Sequence, residues 1–73
     1  MNKTHENVTI ELKDKSSFDQ LKDLLKESGN TKVKIKIGDT SKTYIFELKN
    51  PRKFNFKTFN AIKDKDFIKK ISF

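Results

Sequence analysis

Residues 31–49 read TKVKIKI, GDTS and KTYIFELK, two runs of period-two alternation around a Gly-Asp turn, which is the local signature of a β-hairpin. Val33, Ile35 and Ile37 share one face of the first run, and Tyr44, Phe46 and Leu48 share one face of the second. The opposite face carries Lys32, Lys34, Lys36, Thr43, Glu47 and Lys49, with Ile45 as its only large apolar member. A hairpin that is apolar on one side needs a layer to cover that side, so the remaining segments are read as its cover.

Residues 1–7 form a polar arm with no apolar residue after Met1, and the lone His5 within it reads as a surface residue. Val8 to Leu12 alternates as a first strand, with Val8, Ile10 and Leu12 inward. A helix follows: Ser17 and Gln20 have the spacing of a capping box, and Phe18, Leu21, Leu24 and Leu25 fall on one stripe. Ser28-Gly29 ends it, with Gly29 suited to a left-handed C′ position. After the hairpin, Asn50-Pro51 interrupts pairing, because proline lacks an N–H and restricts the residue before it. Arg52 to Phe56 reads as extended, with Phe54 and Phe56 on one side. Lys57 to Lys63 is a short helix carrying Phe59 and Ile62 inward, and Phe67 to Phe73 a last strand with Phe67, Ile71 and Phe73 on one face. The expectation is one α+β domain over residues 8–73, a small β-α-β-β-α-β sandwich with a mainly antiparallel four-stranded sheet and two helices on one face. A ferredoxin-like strand order is the commonest solution for that element string.

A chain of 73 residues buries only about 60 to 65% of its unfolded surface. Seven phenylalanines offset a lean apolar fraction of 33%, since each buried aromatic removes roughly 150–250 Å² from water. The absence of cysteine excludes disulfides and cysteine-ligated zinc. No apolar run approaches a transmembrane length and no signal-peptide core follows Lys3, so a cytoplasmic protein without a membrane partner is expected. The net charge of +7 is unevenly spread. Residues 1–31 hold five lysines against six acids, and residues 32–73 hold twelve basic residues against four acids. Sixteen of the seventeen basic residues are lysine, a bias that an AT-rich genome also produces. The basic half can attract polyanions or an acidic protein surface through long-range, salt-screened forces.

No nucleophile–base pair, metal-ligand cluster or phosphate-cradling loop can be assembled from these residues, so neither catalysis nor a cofactor is expected. An RNA-recognition motif shares the element string, and Lys42, Tyr44 and Phe46 have the spacing of its basic and aromatic residues. Exposing Tyr44 and Phe46 for base stacking would turn Glu47 into the core, at a cost of several kcal/mol, so they are expected inward. Looser polyanion contact through Lys34, Lys36, Arg52 and Lys53 needs no special fold. A stand-alone basic nucleic-acid-binding protein is therefore the alternative reading.

The strand VTIEL, the helix FDQLKDLLKESGN, the strands TKVKIKI and YIFEL, the segment PRKFNF and the closing FIKKISF together resemble the C-terminal domain of the bacterial DNA polymerase III alpha subunit. The likeness runs from Val8 to Phe73; the chain departs from the family in a short second helix and in Asp66-Phe67, where Gly-Val is usual before the last strand. The resemblance implies a piece excised from a longer polypeptide, with Met1 added for expression and the polymerase carboxylates far upstream. It also implies a non-catalytic domain that docks the polymerase onto the clamp-loader tau subunit; the isolated domain is expected to be a monomer. The contact surface expected on that reading is near the C-terminus, with Arg52 and Lys53 supplying charge and Phe73 an apolar anchor.

Overall fold

A computed structural model describes residues 6–38 and 41–73 of the chain. His5, most of the expected arm and the two central residues of the hairpin turn, Asp39 and Thr40, lie outside the described residues. The elements run β1 (Asn7–Leu12), α1 (Phe18–Leu24), β2 (Ser28–Gly38), β3 (Thr43–Glu47), α2 (Phe56–Ile62) and β4 (Ile68–Ser72), with a 3₁₀ turn at Lys15–Ser17 leading into α1. This is the expected α+β arrangement, a four-stranded sheet of order β3-β2-β1-β4 with two helices.

The strand order differs from the ferredoxin-like one. There a strand separates the two that the first helix connects; here β1 lies directly beside β2 and parallel to it, with Val8 opposite Val33, Ile10 opposite Ile35 and Leu12 opposite Ile37. These six side chains are almost fully buried, so the two most apolar strands occupy the centre. β3 and β4 flank them, each antiparallel to its neighbour. Leu21 and Leu25 of one crossover and Phe54 and Ile62 of the other connection join the same core cluster. Both helices therefore cover the same face of the sheet.

Three local expectations are overruled, two by competing caps and one by strand pairing. Ser17 makes no side-chain cap, because the 3₁₀ turn starts the coil three residues earlier and Asp14 organises it instead. The Ser16 and Ser17 hydroxyls donate to Asp14 Oδ1 at 2.6 and 3.2 Å. The capping box instead forms at α2, where Thr58 N–H donates to Asn55 Oδ1 at 3.0 Å and Asn55 N–H to Thr58 Oγ1 at 3.4 Å. That box places Phe56 at the first helical position, 76% exposed, on the other side from the buried Phe54. In β4 the pairing with β1 shifts between Glu11 and Leu12, which face Lys70 and Ile68. The bulge at Lys69 breaks the alternation and sends Ile68 into the core, with Phe67 and Ile71 packed partly against it.

Gly29 is not a left-handed cap. It belongs to β2, and no described glycine has a positive φ. Its role is close approach: segment 51–53 crosses the start of β2, with Gly29 N–H donating to Pro51 O at 3.3 Å and Lys53 N–H to Glu27 O at 2.8 Å. A β-carbon on Gly29 would run into the Lys53 backbone at Cα, whereas one on Gly38 would meet nothing within 4 Å.

Two measurements check these local readings. Gly29→Ala is expected to lower unfolding free energy in urea by about 1–3 kcal/mol, while Gly38→Ala is expected to be neutral or stabilising by up to about 1 kcal/mol; equal effects would refute the close approach. The hydroxyl of Ser16, then that of Ser17, holds the Asp14 carboxyl below the ordinary carboxylate range. A depressed folded pKa means the contribution is complete above the unfolded pKa and is lost as pH falls through the folded value. An NMR titration should place the Asp14 midpoint below that of an ordinary aspartate, and Ser16→Ala should raise it.

Candidate functional site

Three separate surfaces could meet a partner, and the residues expected to do so are divided between the first two. Arg52 lies in an isolated bridge to Ser28 and Thr31 and turns its guanidinium into the helix layer. Its Nη1 donates to Leu25 O at 2.8 Å, satisfying a carbonyl at the end of α1, and its Nε donates to Asn50 O at 3.0 Å. The charge expected to face a partner is thus used to tie the β3–α2 connection to α1. Lys53 stays exposed and pairs with Glu27 at 3.4 Å, both ends in water. It lines a small cleft of 180 Å³ with Leu24, Glu27, Asn55 and Lys57.

Phe73 stands on an aromatic platform. Its ring lies 6.1 Å from that of buried Phe54 and 5.6 Å from that of Phe59, and 60% of the residue is exposed. Lys63 Nζ sits 5.9 Å from the Phe59 ring centroid. The platform arises because Ile71 pairs inward with Ile10 and Ser72 outward with Thr9, so alternation returns Phe73 to the helix side. An apolar ring held on two others with a cation at the rim has the make-up of a protein-binding anchor.

The uncovered face of the sheet is the second surface. Register places Lys34 between Glu47 and Thr9, and Lys36 between Ile45 and Glu11. Glu11 also faces Lys70 and pairs with Lys69 at 3.4 Å. The lysines are therefore interleaved with carboxylates, and Arg52 is not among them. Tyr44 and Phe46 face the helix side, as the register argument requires: they pair with Ile37 and Ile35, and Phe18 meets Phe46 edge-on at 5.6 Å. Among the described residues no base-stacking pair stands on the bare face.

The edge of β3 is the third, and the hairpin pattern alone pointed away from it. Tyr44 and Phe46 remain 41% and 44% exposed, because the helix layer reaches β3 through Phe18 and goes no further over it. The signal available in sequence was Ile45, an apolar residue at a polar-face position, which is 64% exposed. Among the described residues, no His, Cys, Asp and Glu group is arranged to hold a metal ion, and no helix is long and apolar enough to cross a membrane.

The two basic neighbours should separate in mutagenesis. Arg52→Ala is expected to destabilise the fold by about 1.5–3 kcal/mol, the range for a hydrogen bond from a charged donor, while Lys53→Ala should cost under about 1 kcal/mol. Equal losses in urea denaturation would refute the structural assignment of Arg52.

Comparison with known proteins adds no name to this geometry: no family model, no curated protein and no solved structure matches the chain.

Proposed function

We propose that this chain is a non-catalytic protein-interaction domain of a replicative DNA polymerase III alpha subunit, docking the polymerase onto the clamp-loader tau subunit. The reading rests on the resemblance carried by VTIEL, FDQLKDLLKESGN, TKVKIKI, YIFEL, PRKFNF and FIKKISF. The observation that supports a docking role is the exposed Phe73 ring standing on Phe54 and Phe59. Its basic neighbours are Lys63 at the rim and Lys53, next along the chain from Phe54. In this arrangement Phe73 supplies the apolar anchor and the lysines supply steering toward an acidic rim. Arg52 contributes by holding the surface together, so charge reversal at Arg52 would confuse unfolding with lost contact.

The nucleic-acid alternative has one observation in its favour, the row Lys32, Lys34 and Lys36 along β2 on the uncovered face. Glu11 and Glu47, placed between and beside these lysines, weaken that attraction.

Calorimetry with a C-terminal fragment of tau tests the dock. Binding is expected at physiological salt, and Phe73→Ala should weaken it at least about 30-fold, the ~2 kcal/mol of an interface hot spot. Lys53→Glu with Lys63→Glu should slow association and flatten its salt dependence. An unchanged affinity in Phe73→Ala would remove the anchor. Binding to single-stranded DNA but not to tau, with a steep fall in added salt, would favour the nucleic-acid reading.

A further inference from the structure

The two edges of the sheet are built differently. β4 carries Lys69 and Lys70 and a bulge against β1, devices that discourage another strand from adding. β3 carries Thr43, Tyr44, Ile45, Phe46 and Glu47 in unbroken register with β2, with no proline, lysine or bulge among them. Every residue of β3 is exposed.

The backbone of β3 is also poised to pair. Leu48 N–H donates to Val33 O at 2.9 Å, which makes Val33 and Leu48 a hydrogen-bonded pair at the end of the ladder. Antiparallel alternation then turns Phe46 and Tyr44 toward β2 and leaves the N–H and C=O groups of Thr43, Ile45 and Glu47 pointing away from the sheet. Among the described residues no strand lies beyond them. Beside this edge, on the helix side, runs a groove of 290 Å³ lined by Lys15, Phe18, Asp19, Ile37 and Phe46.

We propose that the β3 edge is a docking site for an extended acidic segment of a partner protein, which adds as a fifth strand and sets alternate apolar side chains into the groove beside Phe18 and Phe46. Backbone pairing to Thr43, Ile45 and Glu47 supplies affinity, and the period of two supplies selectivity, because every second side chain enters the groove. Charge selects the occupant. Lys34 and Lys36 lie on the adjacent strand, Lys42 precedes β3, Lys49 follows it and Lys15 lines the groove, against Asp19, Glu47 and, opposite Lys36, Glu11. A carboxylate on the outer face of the added strand opposite Thr43 or Ile45, clear of Glu47, stands about 10 Å from the β2 lysines, roughly one Debye length at 0.1 M salt. A second copy of this chain would bring the same positive excess and be repelled. The site is at the opposite sheet edge from Phe73 and does not rest on the replisome reading.

The test uses the isotope-labelled 73-residue chain and a short synthetic peptide of alternating valine and glutamate. Controls are the same peptide with N-methylated backbone amides and one alternating valine and lysine. The acidic peptide should bind saturably, with amide shifts centred on Thr43, Ile45 and Glu47, and the lysine peptide should not bind. N-methylation of the peptide and Ile45→Pro in the protein should each weaken binding at least about tenfold, the loss of more than one backbone hydrogen bond. Ile45→Pro removes an outward N–H and leaves the β2–β3 ladder intact; should it unfold, the N-methylated peptide against the unaltered chain decides the matter. Equal binding by the N-methylated peptide, or shifts confined to β4 and Phe73, would overturn the proposal. Concentration-dependent dimerisation through the β3 amides without peptide would overturn it in favour of a second copy.

Discussion

The parallel pairing of β1 on β2 is the constraint from which the remaining geometry follows. It sets Val8, Ile10 and Leu12 beside Val33, Ile35 and Ile37, all almost fully withdrawn from water. At about 1.5–3 kcal/mol for each fully buried aliphatic side chain, no other feature of so short a chain supplies a comparable driving force. Parallel neighbours cannot be joined by a tight turn, so α1 must cross back over the sheet and bring Leu21 and Leu25 down on those six residues. The crossover ends near the start of β2, where segment 51–53 also passes. The Gly29 close approach and the Arg52 contact with Leu25 O both belong to that crowded corner.

A parallel pair with one bare face is unusual, since such strands are commonly covered on both sides. Here the bare face is made wettable by alternation, with Thr9 and Glu11 on β1 and Lys32, Lys34 and Lys36 on β2. The Lys36–Glu11–Lys70 row shows why a large positive charge need not produce a strong anion site: cross-strand neighbours of opposite sign neutralise one another locally. The net charge of +7 thus makes a diffuse positive field more than a local anion site. The apolar features that could retain such partners lie elsewhere, at the Phe73 platform and along β3.

Those two features sit at opposite edges of the sheet and have different physical characters. Phe73 is a single ring raised on Phe54 and Phe59, suited to insertion into a pocket of a folded partner. β3 offers a row of backbone groups flanked by Tyr44, Ile45 and Phe46, suited to an extended segment. A tethering domain that contacts one folded surface and one linear segment would use both without competition between them.

Alternation and amphipathic spacing were enough to read every strand and both helices, and to assign Tyr44 and Phe46 to the helix side, because these depend on the period of the chain and on the cost of burying Glu47. Strand order was not readable. Ferredoxin-like and parallel-centred sheets share the same element string, and the choice turns on which strands gain most from the central, doubly flanked positions. The turn at Asp14, the bulge at Lys69 and the exposure of Phe56 were hidden for a related reason: each is one local preference overruled by a competitor, the Ser16 and Ser17 hydroxyls bonded to Asp14, the pairing of β4 with Glu11 and Leu12, and the capping box at Asn55. Arg52 is the clearest case for function. Its charge was visible in the sequence, but whether that charge meets a partner or the end of α1 depends on Leu25 O, 27 residues away, arriving within 2.8 Å of its guanidinium. Periodicity therefore decides which side chains face the core, and only the closed fold decides which exposed charges and rings remain available to another molecule.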